Sequence, residues 1–372
     1  MASASLLSRV RSHVVVDVDS MDPDVAARHT TEDGPKFCDM TSNQAIVYGE
    51  AAKPERSALF QRACAQIRST EAELDIETQV SDTIDLLTVL LAKEVYPYLT
   101  GRVHAQTSPS TAYDTEATIQ HAKKLVSLFE ANGIPKSRVC IKIPATPESI
   151  IACQYLERLG VRTLSTCLFS VPQAMAAHQA GCLYIAPYFN ELRVHFEPGL
   201  WKEYADTAIE HPAALVIRSI VTLYKEIGAS TLVMPASIVT AKEVVALVSL
   251  NPDHLTLSGA VLDQLAAANG LESLVQDPTD LSLKGASQGE LRRSRCSHRS
   301  LSDSELIDAT YTWIVPDVKT VNYLENGAAA LRDANAADAE TTRKLADALQ
   351  IFGEMETKTK ELVRAVLRSE SQ

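Results

Sequence analysis

A lysine lies in the middle of an apolar, β-branched segment, where a charged side chain is costly to bury. Lys142 is flanked by Ile141 and Ile143 in the run VCIKIPA, which starts at Val139. Burial without a partner disfavours the ammonium form, so the pKa falls and a neutral amine becomes available. A neutral amine attacks ketone carbonyls and forms an imine. Lys142 is therefore a candidate Schiff-base lysine, and the alternative is a lysine that extends outward or pairs with an acid.

Polar side chains stand inside or at the ends of the other apolar runs. They are Asp19, Asn43 and Gln106 after the first, second and third runs, Thr166 in the fifth, Tyr188 after the sixth and Ser237 after the seventh. Catalytic residues of parallel β/α barrels lie at the carboxyl ends of the strands. If the runs are such strands, these side chains surround Lys142.

The strands that must position these residues are readable as short apolar runs. They are HVVVDVD from His13, KFCDMTS from Lys36, RVHAQT from Arg102, VCIKIPA from Val139, RTLSTCLF from Arg162, CLYIAPYF from Cys182, STLVMPAS from Ser230 and HLTLSGAV from His254. Longer amphipathic segments between them predict helices over 81–99, 115–132, 147–159 and 212–227, with Asp114 as a cap. Eight strands alternating with helices predict an α/β fold, a single (β/α)8 TIM barrel with extra C-terminal helices.

The composition of the sequence changes after the eighth apolar run, where the alternation of strands and helices ends. Residues 1–275 are interpreted as the barrel and catalytic domain. Residues 276–302, which include the basic stretch ELRRSRCSHRS, predict a flexible Ser/Arg-rich loop. Residues 303–372 predict a C-terminal helical extension packed on the barrel, with a long helix over 338–367.

Composition excludes several classes of protein. The 372 residues are 46% hydrophobic and 22% charged, which is typical of a globular protein, and the net charge of -12 argues against a nucleic-acid partner. No stretch approaches the apolar length of a membrane span, and the start MASASLLSRVRS predicts a first helix. The seven scattered cysteines predict free thiols rather than a metal site, and a cytoplasmic location.

Three segments resemble the transaldolase family, and the resemblance runs from about Val14 to Leu265. They are YDTEATIQHAKKL from Tyr113, VCIKIPATPESIIA from Val139 and TCLFSVPQAMAAHQAGCLYIAPY from Thr166, while DMTSNQ is similar to the family's D-x-T-T-N-P signature. The resemblance implies Lys142 as the Schiff-base lysine, Asp19 as the first-strand aspartate, Asn43 as the residue that binds substrate hydroxyls and Thr166 as the residue that positions water. Ser237 matches the family's seventh-strand serine.

Two departures from the family concern proton transfer. Gln106 replaces a glutamate and cannot act as an acid or base. Ala186, Pro187 and Tyr188 replace Ser-Pro-Phe, which leaves Ala186 at a substrate-binding position. The same changes characterise the fructose-6-phosphate aldolases, which implies that Tyr188 transfers the proton while Gln106 and Thr166 hold a water. The alternative is a decayed site with Tyr188 as a core aromatic.

A third departure concerns the substrate's phosphate. The arginines with which the family binds it match Glu191 and Val239 here. A carboxylate repels a phosphate dianion and does not replace a guanidinium. Arg193 lies nearby and is a candidate substrate-binding residue, and Arg292 of the basic stretch could also compensate. The sequence favours an acceptor without a phosphate.

These observations predict a Schiff-base aldolase of sugar, ketone and aldehyde substrates that needs no metal and no organic cofactor. It would cleave or form an aldol bond, or transfer a dihydroxyacetone unit, through Lys142. The alternatives are a conventional transaldolase of the pentose phosphate pathway and a non-catalytic barrel that binds or scaffolds other molecules. A homodimer is expected by analogy with the family alone.

Overall fold

Seven short parallel strands form most of the barrel wall in the computed structural model, which describes residues 5–30, 34–70, 73–268 and 318–369. The strands are β1 (Val15–Val18), β2 (Val103–Gln106), β3 (Val139–Pro144), β4 (Arg162–Leu168), β5 (Tyr184–Pro187), β6 (Leu232–Val233) and β7 (His254–Leu257). β2 to β6 pair in sequence order, and β1 pairs with β7. Lys142 lies on β3, which is the fourth of the predicted strands.

Two further contacts close these strands into a ring. Met40 forms parallel bridges to Val18 of β1 and to Val103 of β2. On the other side, the Thr256 amide of β7 donates to the Pro235 carbonyl just after β6, at 3.3 Å. The predicted (β/α)8 barrel is therefore confirmed, and the segment around Met40 takes the place of its second strand, between β1 and β2.

The predicted strand from Lys36 is wrong as a continuous strand, because only Phe37 and Met40 form isolated bridges. Asp39 explains the interruption. Its carboxylate accepts the Arg102 amide hydrogen at 2.6 Å and pairs with His104 at 2.8 Å. The Arg102 amide is thus bound by a side chain instead of a backbone carbonyl of the neighbouring segment.

The predicted strand from Ser230 is also shorter than expected, since β6 contains only Leu232 and Val233. Pro235 lacks the N–H that a ladder requires. Ser237 then adopts a left-handed backbone with φ of 60°. The chain leaves the barrel wall at this residue, so its side chain lies at the rim.

The helices of the described residues are α1 (Leu6–Arg11), α2 (Pro23–Arg28), α3 (Gln44–Ala51), α4 (Ser57–Thr70), α5 (Ile76–Val95), α6 (Thr115–Ala131), α7 (Pro147–Arg158), α8 (Val171–Gln179), α9 (Thr207–Glu210), α10 (Pro212–Ile227), α11 (Ala241–Ser249), α12 (Gly259–Ala267), α13 (Glu325–Ala337) and α14 (Ala339–Ser369). Asp114 caps α6 as predicted, accepting the Ala117 amide hydrogen at 2.9 Å. α5 begins earlier than predicted because Asp75 caps it. In the residues described, no helix has the length and apolar content needed to cross a membrane.

The C-terminal helices cover one side of the barrel. α13 packs on α7 and α8, and α14 packs on α3, α4 and α5 and reaches β4. Four buried α14 residues share an apolar cluster with Tyr188, namely Leu345, Ala348, Leu349 and Phe352. α14 therefore forms part of the wall beside the predicted site. The predicted loop over 276–302 lies outside the described residues.

Candidate active site

The Lys142 side chain lies inside the barrel. Its residue is 2% exposed and pairs in register with Gln106 on β2 and with Leu164 on β4. Burial lowers the pKa of the amine, and the neighbouring Asp19 and Cys167 oppose this shift only partly. No ion pair joins the amine to a carboxylate of the described residues. The side chain therefore gives up its proton more readily than an exposed lysine does.

Asp19 follows β1 at the carboxyl end of the barrel. Its amide hydrogen bonds to the Leu257 carbonyl at 2.9 Å, and its carboxylate accepts the Thr41 hydroxyl at 2.6 Å. The negative charge of Asp19 acts on both Lys142 and Tyr188. The structure thus brings three predicted site residues, from β1, β3 and β5, within electrostatic reach of one another.

Gln106 is held by a second glutamine, which the sequence analysis did not single out. The Gln106 Nε2 donates to Gln44 Oε1 at 2.7 Å, and Gln44 in turn donates to the Thr107 carbonyl at 2.9 Å. Gln106 Oε1 is buried and has no hydrogen-bond partner in the described part of the chain. It can accept a hydrogen bond from a bound water or a substrate hydroxyl.

Tyr188 and Thr166 lie together, with 3.4 Å between the Thr166 hydroxyl and the phenol oxygen. The ring of Phe169 meets Tyr188 edge-on, at 5.7 Å between centroids. Burial raises the pKa of Tyr188 well above its ordinary value, and the neighbouring Cys167 and Asp19 add to the shift. The phenol therefore keeps its proton and can donate it. Cys167 has a left-handed backbone, with φ of 52°.

The side-chain oxygen of Asn43 has a structural role, while its side-chain NH2 group does not. Its Oδ1 accepts the amide hydrogens of Ala45 at 2.9 Å and Ile46 at 3.1 Å, and so caps α3. Its NH2 group makes no hydrogen bond to the described residues and can donate to a substrate hydroxyl. Asn43 and Gln106 also border a cavity of about 340 Å³ between α3, α5, α6 and α14.

The other predicted substrate-binding residues differ in their surroundings. Ala186 is buried in β5. The Ser237 hydroxyl lies 2.8 Å from Nε2 of His195. The Arg193 guanidinium makes two contacts of 3.1 Å with the carboxylate of Glu197, one helical turn further along the chain. The described contacts of Arg193 therefore do not join it to the group around Lys142.

Glu191, at one position where the family resemblance expects an arginine, is paired with α14. Its carboxylate lies 2.6 Å from Arg343, which also contacts Glu340 and Asp347, each at 2.9 Å. At the other position, the Val239 amide donates to Glu243 at 2.7 Å. The Arg343 guanidinium is therefore already shared among three carboxylates.

A group with possible metal ligands lies lower in the barrel. Asp17, Cys38 and His254 place their ligand atoms within 4.8 Å of one another. Asp17 Oδ2 lies 2.8 Å from His254 Nδ1, and Oδ1 accepts the Asp39 amide hydrogen at 2.7 Å. Both oxygens of the Asp17 carboxylate therefore accept hydrogen bonds from N–H groups. These contacts explain the cluster as a hydrogen-bond network without a metal ion.

Four residues of the site region were not found from the sequence. Gln44 follows Asn43 directly, and Cys167 follows Thr166. Their position beside a predicted site residue is the only feature of the sequence that could have indicated them. His195 ends no apolar run, and Arg343 is far from Glu191 along the chain. Their contacts become visible only in the folded structure.

Comparison with known proteins gives the family. Residues 16–300 match the model of the family described as Transaldolase/Fructose-6-phosphate aldolase. A transaldolase of Shewanella sp. (strain MR-4) is 32% identical over 263 residues, 71% of this chain and 79% of the relative. A transaldolase of Methylobacillus flagellatus is 33% identical over 240 residues, 64% of this chain and 74% of the relative. The chain therefore belongs to the transaldolase/fructose-6-phosphate aldolase family and is an enzyme of its Schiff-base aldolase type.

Proposed function

We propose that this enzyme cleaves, forms or transfers the aldol bond of sugar-like substrates through an imine on Lys142, and that its acceptor carries no phosphate. The observation that carries the proposal is the buried Lys142 amine. It is 2% exposed, its pKa is lowered by burial, and it lies on the barrel strand next to Gln106. Such an amine is a nucleophile for ketones near neutral pH.

The first half of the cycle forms the imine. The Lys142 amine attacks the carbonyl of a donor of the dihydroxyacetone or hydroxyacetone type, and loss of water leaves a cationic iminium. The Asp19 carboxylate accepts a donor hydroxyl, and the free NH2 group of Asn43 donates to another. Both groups are held by hydrogen bonds to the protein, Asp19 by Thr41 and Asn43 by the first turn of α3.

The second half makes or breaks the carbon–carbon bond. In cleavage, a base takes the proton of the hydroxyl beside the scissile bond, and the bonding electrons pass to the iminium and give an enamine. In formation, the enamine carbon adds to an aldehyde, and the new alkoxide takes a proton. Tyr188 supplies this proton through a water held by Gln106 Oε1 and Thr166. Burial keeps the Tyr188 phenol protonated, so it is present in the form that can give a proton to the alkoxide, which is the stronger base.

The charges near Glu191 support an uncharged acceptor. Arg343 is bound to Glu191, Glu340 and Asp347, so a phosphate would have to compete with three carboxylates for it. Two like charges close together in a protein are unfavourable. A conventional transaldolase of the pentose phosphate pathway is the second candidate, and it is favoured by the relatives that are transaldolases.

The two candidates differ in the acceptor they prefer. With one ketose donor, kcat/KM is compared for glyceraldehyde and for glyceraldehyde 3-phosphate. We expect the plain aldehyde to be used at least as well as the phosphorylated one. A preference for the phosphorylated acceptor of about a hundredfold, equivalent to about 2.7 kcal/mol, would support the conventional transaldolase instead.

A further inference from the structure

One polar pair at the mouth of the barrel is not used in the proposed cycle. His195 Nε2 and Ser237 Oγ lie 2.8 Å apart, and the His195 residue is exposed, so a ligand can reach it. The charge of Asp19 acts on His195 as it does on Lys142. Because Ser237 follows β6 and Asp19 follows β1, the pair lies at the same end of the barrel as Asp19.

The pair is fixed by buried contacts. The Ser237 carbonyl accepts the backbone amide hydrogen of Asn190 at 3.1 Å and its side-chain NH2 at 3.0 Å. The Glu243 carboxylate accepts hydrogen bonds from Asn190 at 3.1 Å, from Val239 at 2.7 Å and from the Trp201 indole at 2.8 Å. The segments that carry His195 and Ser237 are thus tied to one buried carboxylate, as a preformed binding group requires.

The chemistry of the pair suits an uncharged hydroxyl. Partial desolvation of the ring lowers the pKa of His195 although the residue as a whole stays exposed, so the neutral imidazole predominates at pH 7. If Ser237 donates to Nε2, the pair offers the Nδ1 hydrogen and a serine lone pair. If Nε2 donates to Ser237, it offers the serine hydrogen and an Nδ1 lone pair. In both tautomers one uncharged donor and one uncharged acceptor remain, either of which can bind a hydroxyl, while the pair lacks the positive charge that a dianion requires.

We propose, resting on the proposed function, that His195 and Ser237 form a specificity subsite that binds a hydroxyl of the aldehyde acceptor. His195 is the new member of the site. The subsite discriminates between acceptors, because an acceptor without the hydroxyl leaves the pair without its partner.

The test compares two acceptors, glyceraldehyde and propanal, which has the same carbon number but no hydroxyl. We expect kcat/KM of the full-length enzyme to be about tenfold or more higher for glyceraldehyde. His195→Ala should lower it about tenfold for glyceraldehyde, through the acceptor KM, and change it less than about twofold for propanal. Ser237→Ala should act in the same way, and His195→Gln, which keeps a donor and an acceptor, should recover part of the loss.

The matched control is His13→Ala. His13 is also exposed and lies 3.1 Å from a serine hydroxyl, that of Ser12, but it precedes β1. This variant should keep the wild-type kcat/KM for both glyceraldehyde and propanal. An equal loss for both acceptors in His195→Ala and Ser237→Ala, or no loss for glyceraldehyde, would overturn the subsite.

Trapping with borohydride separates this outcome from failure of the proposed function. With dihydroxyacetone alone, the wild type and His195→Ala should both form the Lys142 adduct, because the acceptor takes no part in that step. Absence of the adduct in the wild type would overturn the proposed function itself. An adduct in both proteins without any change in acceptor preference would overturn only the subsite.

Discussion

The proposed chemistry depends on the burial of one amine, which affects reactivity and stability in opposite directions. The pKa of Lys142 is lowered from 10.5 in the folded protein. Below pH 10.5, Lys142 is protonated in the unfolded chain, whereas in the folded chain it takes up its proton only at a lower pH. The lysine therefore costs stability as pH falls through 10.5, and the cost is complete below its folded-state pKa.

Lys142→Met should abolish turnover without destabilising the protein. The apolar side chain fills similar space and removes the desolvation cost, so the free energy of unfolding at pH 7, from urea titration, should equal or exceed that of the wild type. Lys124→Met is the control. Asp82 and Asp85 raise the pKa of Lys124, so its charge adds stability below pH 10.5 and its loss should destabilise. A Lys142→Met protein less stable than Lys124→Met would contradict this account.

Tyr188→Phe should separate imine formation from proton transfer. Loss of the phenol should reduce kcat by about 10²–10³-fold, while the borohydride adduct on Lys142 still forms. Tyr184→Phe is the control, since the Tyr184 phenol lowers the pKa of Asp39 and its ring contacts His104 and His254 instead of the group around Lys142. It should lose about 1 kcal/mol of stability and keep kcat within a few-fold. Full activity of Tyr188→Phe would refute the proton-donor role.

At the scale of elements, the positions of the proposed site residues could be predicted because the apolar runs end where the barrel opens. Gln106, Lys142 and Tyr188 lie at or near the ends of β2, β3 and β5 in this way. The segment around Met40 was predicted less well, because Asp39 replaces a backbone partner with its side chain. The left-handed backbone of Ser237 has no local signal, since serine rarely adopts it.

The contact between α14 and the barrel rim gives a prediction about the acceptor. Glu191→Gln removes one of the carboxylates bound to Arg343 and should raise kcat/KM for glyceraldehyde 3-phosphate about tenfold, because repulsion of the phosphate falls. Glu197→Gln is the control, since Glu197 pairs with Arg193 instead. An unchanged ratio of phosphorylated to plain acceptor in Glu191→Gln would show that Glu191 does not exclude phosphate.

At the scale of the whole molecule, α14 joins the C-terminal region to the barrel through apolar packing near the site. Phe352 is fully buried in the same cluster as Tyr188 and Leu192. The sequence predicted the long helix but not the surface it covers, because residues far apart in the chain form this contact. A homodimer and a cytoplasmic location stay predictions.

Phe352→Ala should lower the free energy of unfolding by about 3–5 kcal/mol, the cost of a cavity left by a buried aromatic ring. Urea denaturation measures the change. Leu74→Ala is the control, because Leu74 is 43% exposed and its truncation should cost less than about 0.5 kcal/mol. A loss under 1 kcal/mol for Phe352→Ala would show that α14 is not packed against the barrel as described.

In the proposed cycle, the amine of Lys142 forms the imine with the donor ketone, and every later step depends on this imine. The direct measurement is borohydride reduction in the presence of dihydroxyacetone at a series of pH values, followed by peptide mass spectrometry. We expect one reduced adduct, on Lys142, already abundant near neutral pH and absent from Lys142→Met. No adduct with dihydroxyacetone, hydroxyacetone or fructose 6-phosphate, or an adduct on another lysine in the wild type, would contradict it.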